Sequence, residues 1–110
     1  MGKATYWQRG ETLDYINTGT AVIEANTVIT FGGRIGIAGT DILPGEMGSL
    51  HVTGVFEMPK TAEGAVGMGT DVYFDGNGIT DTKGTGTVMA GYAAQPAAAA
   101  DTVLLVKLAG

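Results

Sequence analysis

Nineteen glycines punctuate this 110-residue chain, far above the ~7% of ordinary proteins. They follow no three-residue period, so a collagen-type helix is excluded. They stand between runs rich in β-branched and aromatic residues, the pattern of many short strands joined by tight turns.

Residues 11–17, "ETLDYIN", form the first run, with Leu13 and Tyr15 on one face. "NTVITFGG" and "RIGIAGT" follow over residues 26–40, hinged at Gly32-Gly33, a hairpin signal. Pro44-Gly45 marks a turn, and "SLHVTGVFEM" over 49–58 is the longest strand candidate. There Leu50, Val52, Phe56 and Met58 oppose His51, Thr53, Val55 and Glu57, until Pro59 stops the ladder. Residues 60–69 could form one helical turn capped by Thr61, though three glycines there preclude a long helix. Strands are then expected at 70–75, 78–82, 86–95 and 101–109. The last is apolar on both faces, as a central or barrel-closing strand would be. "PAAAA" at 96–100 suits a helical turn or an extended spacer. A faint echo links "TVITFGGRIGI" to "TDVYFDGNGIT", each leading to a longer Gly-led strand, although generic hairpins look alike.

The loop "DVYFDGNGITDTKGTG" (71–86) resembles a cation site in composition only. A calcium loop needs oxygen ligands at alternating positions and a closing bidentate carboxylate. Here Ile79 fills the third ligand slot, Thr80 the glycine position and Gly86 the place of the glutamate. Asp75-Gly76-Asn77-Gly78 instead supplies residues that tolerate a tight hairpin turn. It is a turn, and no metal is expected.

Other chemistry is sparse. Eleven acidic residues outnumber six basic ones, for a charge of −5. Lys3, Arg9, Arg34, Lys60, Lys83 and Lys107 are scattered, where nucleic-acid binding needs clustered cations. No cysteine is present, so disulfides and thiolate chemistry are excluded. No run reaches the ~20 apolar residues of a membrane helix, and no partner membrane is expected. The start "MGKATYWQRG" lacks the apolar core of a signal peptide and has Tyr6 where a myristoylation site needs Ser or Thr. The chain is therefore expected to be made and kept in a cytosol unless something larger carries it out. Neither nucleotide-binding glycine motif occurs, so no cofactor is expected. His51, the only histidine, stands roughly 20 Å along its strand from Glu57. Ser49, the only serine, lies about 7 Å from His51 by strand spacing, too far for proton transfer. The reading is non-enzymatic.

"ATYWQRGE" puts the only Trp beside a Tyr and near an Arg, ahead of the first strand. Tyr, Trp and Arg dominate protein–protein hot spots. Tyr6, Trp7 and Arg9 are thus candidate partner-contacting residues, unless Trp7 folds back to plug the body. Residues 1–10 are assigned to an N-terminal arm and 11–110 to a single β domain.

In order, "GETLDYINTGTAVIEANTVI", "GRIGIAGTDILPGEMGSLHVTGVFEMPK", "MGTDVYFDGNGITDT" and "AGYAAQPAAAADTVLLVKL" resemble a family of short phage and prophage proteins, the capsid cement or head-decoration proteins. The likeness covers nearly the whole chain from Gly10 onward. It is most specific at residues 42–60, "ILPGEMGSLHVTGVFEMPK". The aromatic pair of "VYF" and the Ala-rich bridge to an apolar last strand strengthen it. Some members carry an older label of predicted phage recombinase; the missing nucleotide loop and basic face argue against that here. The resemblance implies a mainly β fold, a small β-barrel or sandwich with at most one or two helical turns. It also implies assembly, as trimers, with the major capsid protein on the outer surface of an icosahedral head. The expected location is the exterior of the virion after synthesis in the bacterial cytoplasm. The alternative is an accessory module of a tail or fibre recognising carbohydrate or protein, for which outward-facing Tyr73 and Tyr92 would be the platform.

Overall fold

The computed structural model describes residues 2–109, so Met1 of the arm and Gly110 of the body lie outside it. Among the described residues nine strands run β1 (Thr12–Ile16), β2 (Val28–Phe31), β3 (Arg34–Ala38), β4 (Met47–His51), β5 (Val55–Pro59), β6 (Asp71–Phe74), β7 (Ile79–Thr80), β8 (Val88–Ala93) and β9 (Val103–Leu108). They form two antiparallel sheets, β1-β4-β3-β2 and β5-β9-β8-β6-β7. The expected mainly β fold is what the chain adopts. The sheets do not close into a barrel; they pack on one another.

Turn chemistry explains the joints. Gly32, at φ 58, opens the two-residue loop between Phe31 and Arg34, as a hairpin of primed type requires. Pro44-Gly45 makes a turn closed by the Glu46 N–H donating to the Leu43 carbonyl at 3.0 Å. Gly45 there has φ 81, a conformation in which a Cβ is strained.

Two expectations need correction. The single strand at 49–58 is two, because Gly54 turns at φ 114 and sends β4 and β5 into different sheets. Alternation runs through the break, with Leu50 and Met58 both buried. The helical turn at 60–69 is absent; the stretch bridges at Lys60 and Val66, bends at residues 63–64 and turns at 68–69. The Thr61 hydroxyl, rather than capping a helix, donates to Asp75 Oδ2 at 2.6 Å. Residues 96–100 are likewise a spacer that bridges at Ala97 and then turns. The last strand is central, between β5 and β8.

The faint echo is a true repeat of architecture. β1, β2, β3 and β4 occupy in the first sheet the places of β5, β6, β8 and β9 in the second, with β7 added at the far edge. Register follows the same rule. Val28 faces Ile37 as Asp71 faces Tyr92, Ile37 faces His51 as Tyr92 faces Lys107, and Thr12 faces His51 as Val55 faces Lys107. Before β2 and β4, Ile23 bridges Ile42; before β6 and β9, Val66 bridges Ala97. β7 and the turn leading to it are inserted in the second unit, so β3 corresponds to β8 and not to β7.

Each sheet buries one face beneath its own bridged straps. Ile29, Ala38, Ile42 and Leu50 form the smaller cluster. The larger one joins Met58, Val72, Leu104, Val106 and Leu108 of the second sheet to Ile35 and Ile37 from the opposite face of β3. That face of the first sheet therefore lies on the inner face of the second. His51 meets the Phe56 ring across the seam, centroids 6.1 Å apart. Removal of this apolar surface from water is what joins the units.

Candidate functional site

The segment ahead of β1 is the most exposed part of the molecule. Residues 2–9 are all solvent-exposed and belong to no strand. Tyr6 is 78% and Trp7 89% exposed, so Trp7 does not plug the body. Gly10, at φ 77, bends the chain into β1, an edge strand of the first sheet. Gln8 Nε2 donates to the Thr12 carbonyl at 3.2 Å. Arg9 pairs with Glu11 at 3.2 Å, both side chains largely in water, where such a pair is screened and adds little. The arm thus brings Tyr6, Trp7 and Arg9 together by sequence proximity, and presents them uncovered. Large aromatic side chains left in water retain the full free energy of later burial, about 2–3 kcal/mol each.

The second exposed feature is the outer face of the second sheet. Val55, Met89 and Tyr92 are 53%, 37% and 43% exposed there, beside half-buried Tyr73, Leu105 and Lys107. Strand register places them on one side. Tyr73 and Tyr92 were legible as candidates; Val55, Met89 and Leu105 were not. The signal for Leu105 was the last strand, apolar on both sides.

The remaining polar groups serve the fold. Asp75 Oδ1 accepts from the N–H groups of Asn77 and Gly78, both at 2.9 Å, and the Asp75 N–H donates to the Gly78 carbonyl at 3.0 Å. This is the hairpin turn expected between β6 and β7. The Thr61 hydroxyl holds the Asp75 carboxyl below its ordinary value of 3.8 against the opposing effect of burial, and each of these amides lowers it less than Thr61 does. No group of three or more potential metal ligands gathers among the described residues. His51 is half-buried against Phe56, and Ser49 is exposed. Of two surface hollows, one of about 270 Å³ lies at the seam between the sheets, lined by Val28, Ile37, Phe56 and Met58. The other, about 230 Å³, lies under the 95–97 strap with Glu57 and Asp101; the Asp101 carboxylate accepts from the Ala98 N–H at 2.8 Å.

An exposed segment carrying Tyr6, Trp7 and Arg9 thus precedes a two-sheet body. Neither a curated protein nor a solved structure matches the chain. A family model described as phage cement protein matches residues 7–108, a span that takes in both sheets, Trp7 and Arg9. The chain belongs to the phage cement protein family, and its role is a structural one associated with the phage capsid.

Proposed function

We propose that the protein binds the outer surface of a phage head and stabilises the shell by bridging neighbouring copies of the major capsid protein, with no catalytic step. The observation that carries this reading is the arm: Tyr6 and Trp7 stand almost wholly in water on a segment leading into an edge strand. Ordered against a capsid strand, such a segment gains main-chain hydrogen bonds without needing a deep pocket. Tyr6, Trp7 and Arg9 are the contacting residues. Residues 1–10 act as the docking arm and 11–110 as one body. The protein works as a trimer, so three modest contacts reinforce one another through effective concentration. The acidic balance suits the exterior of a virion, away from packaged DNA. Synthesis in the host cytoplasm then supplies the protein to heads as they expand.

Co-sedimentation with purified expanded heads tests the proposal. The full chain pellets with heads to a saturating stoichiometry, whereas a chain lacking residues 2–9 stays in the supernatant. Equal pelleting of the two would remove the arm from the account. Absence of pelleting by the full chain would remove the capsid. Exposed Tyr92 also favours a second reading, an accessory module of a tail or fibre. That reading requires binding to purified tails or to glycans, abolished by Tyr92→Ala.

A further inference from the structure

We propose that the open edge of β2 accepts an extended segment of the major capsid protein as an added strand, so that the body as well as the arm holds the head. The occupant rests on the capsid reading of the proposed function; the open edge does not.

The repeat supplies the argument, because it shows the same edge covered once. In the second unit β6 has β8 on one side and β7 on the other. Tyr73 faces Thr80 and Phe74 faces Ile79 in antiparallel register, and Ile79 is fully buried. β2 holds the place of β6 and pairs with β3, yet no strand lies on its other side. Thr30 and Phe31 are the positions that correspond to Tyr73 and Phe74. β1 and its counterpart β5 are both uncovered edges, so the repeat holds no such template for them.

Main-chain geometry makes the β2 edge an acceptor. The Ala38 N–H donates to the Thr27 carbonyl at 3.0 Å, and an antiparallel ladder alternates bonded with non-bonded pairs. Val28 faces Ile37 and Thr30 faces Ile35, so the N–H and C=O groups of Val28 and Thr30 point away from β3. Among the described residues no backbone group pairs with them. Such a row of open donors and acceptors templates a further strand. On β5 the comparable edge is blunted by Pro59, which has no N–H to give.

The covered edge also specifies the occupant. A residue opposite Phe31 falls on the side of Phe31 and Ile29, where the second unit places the aliphatic Ile79. Three residues on, opposite Val28, a side chain falls on the other side, beside the hollow of about 270 Å³ lined by Val28, Phe56, Met58 and Glu57. Glu57 has no ion-pair partner among the described residues. A Lys or Arg fits there, its stem on the apolar wall and its charge at the carboxylate. The segment therefore carries an aliphatic residue and, three places later, a basic one, and runs antiparallel to β2.

Hydrogen exchange over residues 27–31, read by mass spectrometry with purified expanded heads as the probe, tests the edge directly. In isolated protein the Val28 and Thr30 amides should exchange as open backbone does; on saturated heads both should slow at least about tenfold. The Val55 and Glu57 amides of β5 should stay fast. Pelleting with unchanged exchange at Val28 and Thr30 would overturn the added strand and leave the capsid reading standing, whereas failure to pellet would overturn both. Exchange that slows with protein concentration in the absence of heads would put another copy on the edge and overturn the proposal. Thr30→Pro removes an N–H that bonds nothing in the fold, at an edge where proline is tolerated. It should leave the melting temperature nearly unchanged and weaken head binding at least about tenfold; unchanged binding would contradict the added strand.

Discussion

Tyr92 occupies in the second sheet the register position that Ile37 occupies in the first, each paired to the equivalent neighbours on both sides. Ile37 is nonetheless buried and Tyr92 is open to water. The difference is not in the strands but in what lies on them. The first sheet rests on the second, and the second rests on nothing in its own chain.

In the proposed docking, the arm separates binding from stability. Trp7→Ala removes a side chain that touches little of the body, so the unfolding free energy should change by less than about 0.5 kcal/mol. Head binding should fall by at least about tenfold, as for loss of a buried anchor. Chemical denaturation of the isolated protein and co-sedimentation measure the two effects. A large loss of stability would mean that Trp7 packs on the body after all.

Ile42 and Gly48 form a matched pair. Ile42 is 1% exposed, and a Cβ built on Gly48 would strike its Cγ1 and Cδ1 atoms. Ile42→Ala should cost about 2–5 kcal/mol and Gly48→Ala about 1–3 kcal/mol through overpacking. The double variant should lose less than the two separate losses together, because the new methyl enters the vacated space. Urea unfolding of the three variants gives the coupling; additive losses would contradict the packing.

Asn17 is the buried polar residue that fastens the first strap. Its Nδ2 donates to the carbonyls of Ala21 and Ile42 at 2.8 and 2.9 Å, and its Oδ1 accepts from the Gly19 N–H at 2.9 Å. Asn17→Ala removes three hydrogen bonds from the strap, leaving the Ile42 carbonyl only the Ile23 N–H, and should cost about 1–3 kcal/mol. Its counterpart Lys60 holds the second strap from a wetter position, donating to Ala62 and Ala99 at 2.7 and 3.2 Å. Lys60→Met should cost less, and a reversed order would contradict the assignment.

Asp75 gives a pH signature. Its folded carboxyl titrates below the ordinary 3.8, so the ionised form stabilises the turn above that value. The contribution is lost as pH falls through the lower folded value. Carboxyl carbon NMR should place the midpoint below 3.8, and Thr61→Val should raise it by removing the largest cause. An unmoved midpoint would assign the shift to the backbone amides alone.

Most strands were legible because glycine and proline delimit them and alternation fills them. The break inside residues 49–58 was not, since Leu50, Val52 and Met58 keep the same phase across Gly54 while changing sheets. Alternation records which side of a strand is buried, and it carries no information about which sheet buries it. The repeat was audible but misaligned, because the inserted β7 hairpin stands where sequence order suggests a partner for β3. The bridges at Ile23, Ile42, Val66 and Ala97 are single residue pairs, too short for any periodicity. That residues 2–9 lie outside the sheets was legible, since Tyr6, Trp7 and Arg9 fall outside the strand pattern. The outer face of the second sheet was only half legible, because apolar residues on both sides of β9 equally describe a strand covered twice.

Heat-induced release of DNA from heads that lack the protein, measured with and without purified protein added back, tests the cementing role most directly. The account predicts a release temperature that rises with added protein and levels off at saturating occupancy, and a chain without residues 2–9 that leaves it where it was. Full occupancy of the heads with an unchanged release temperature would contradict it.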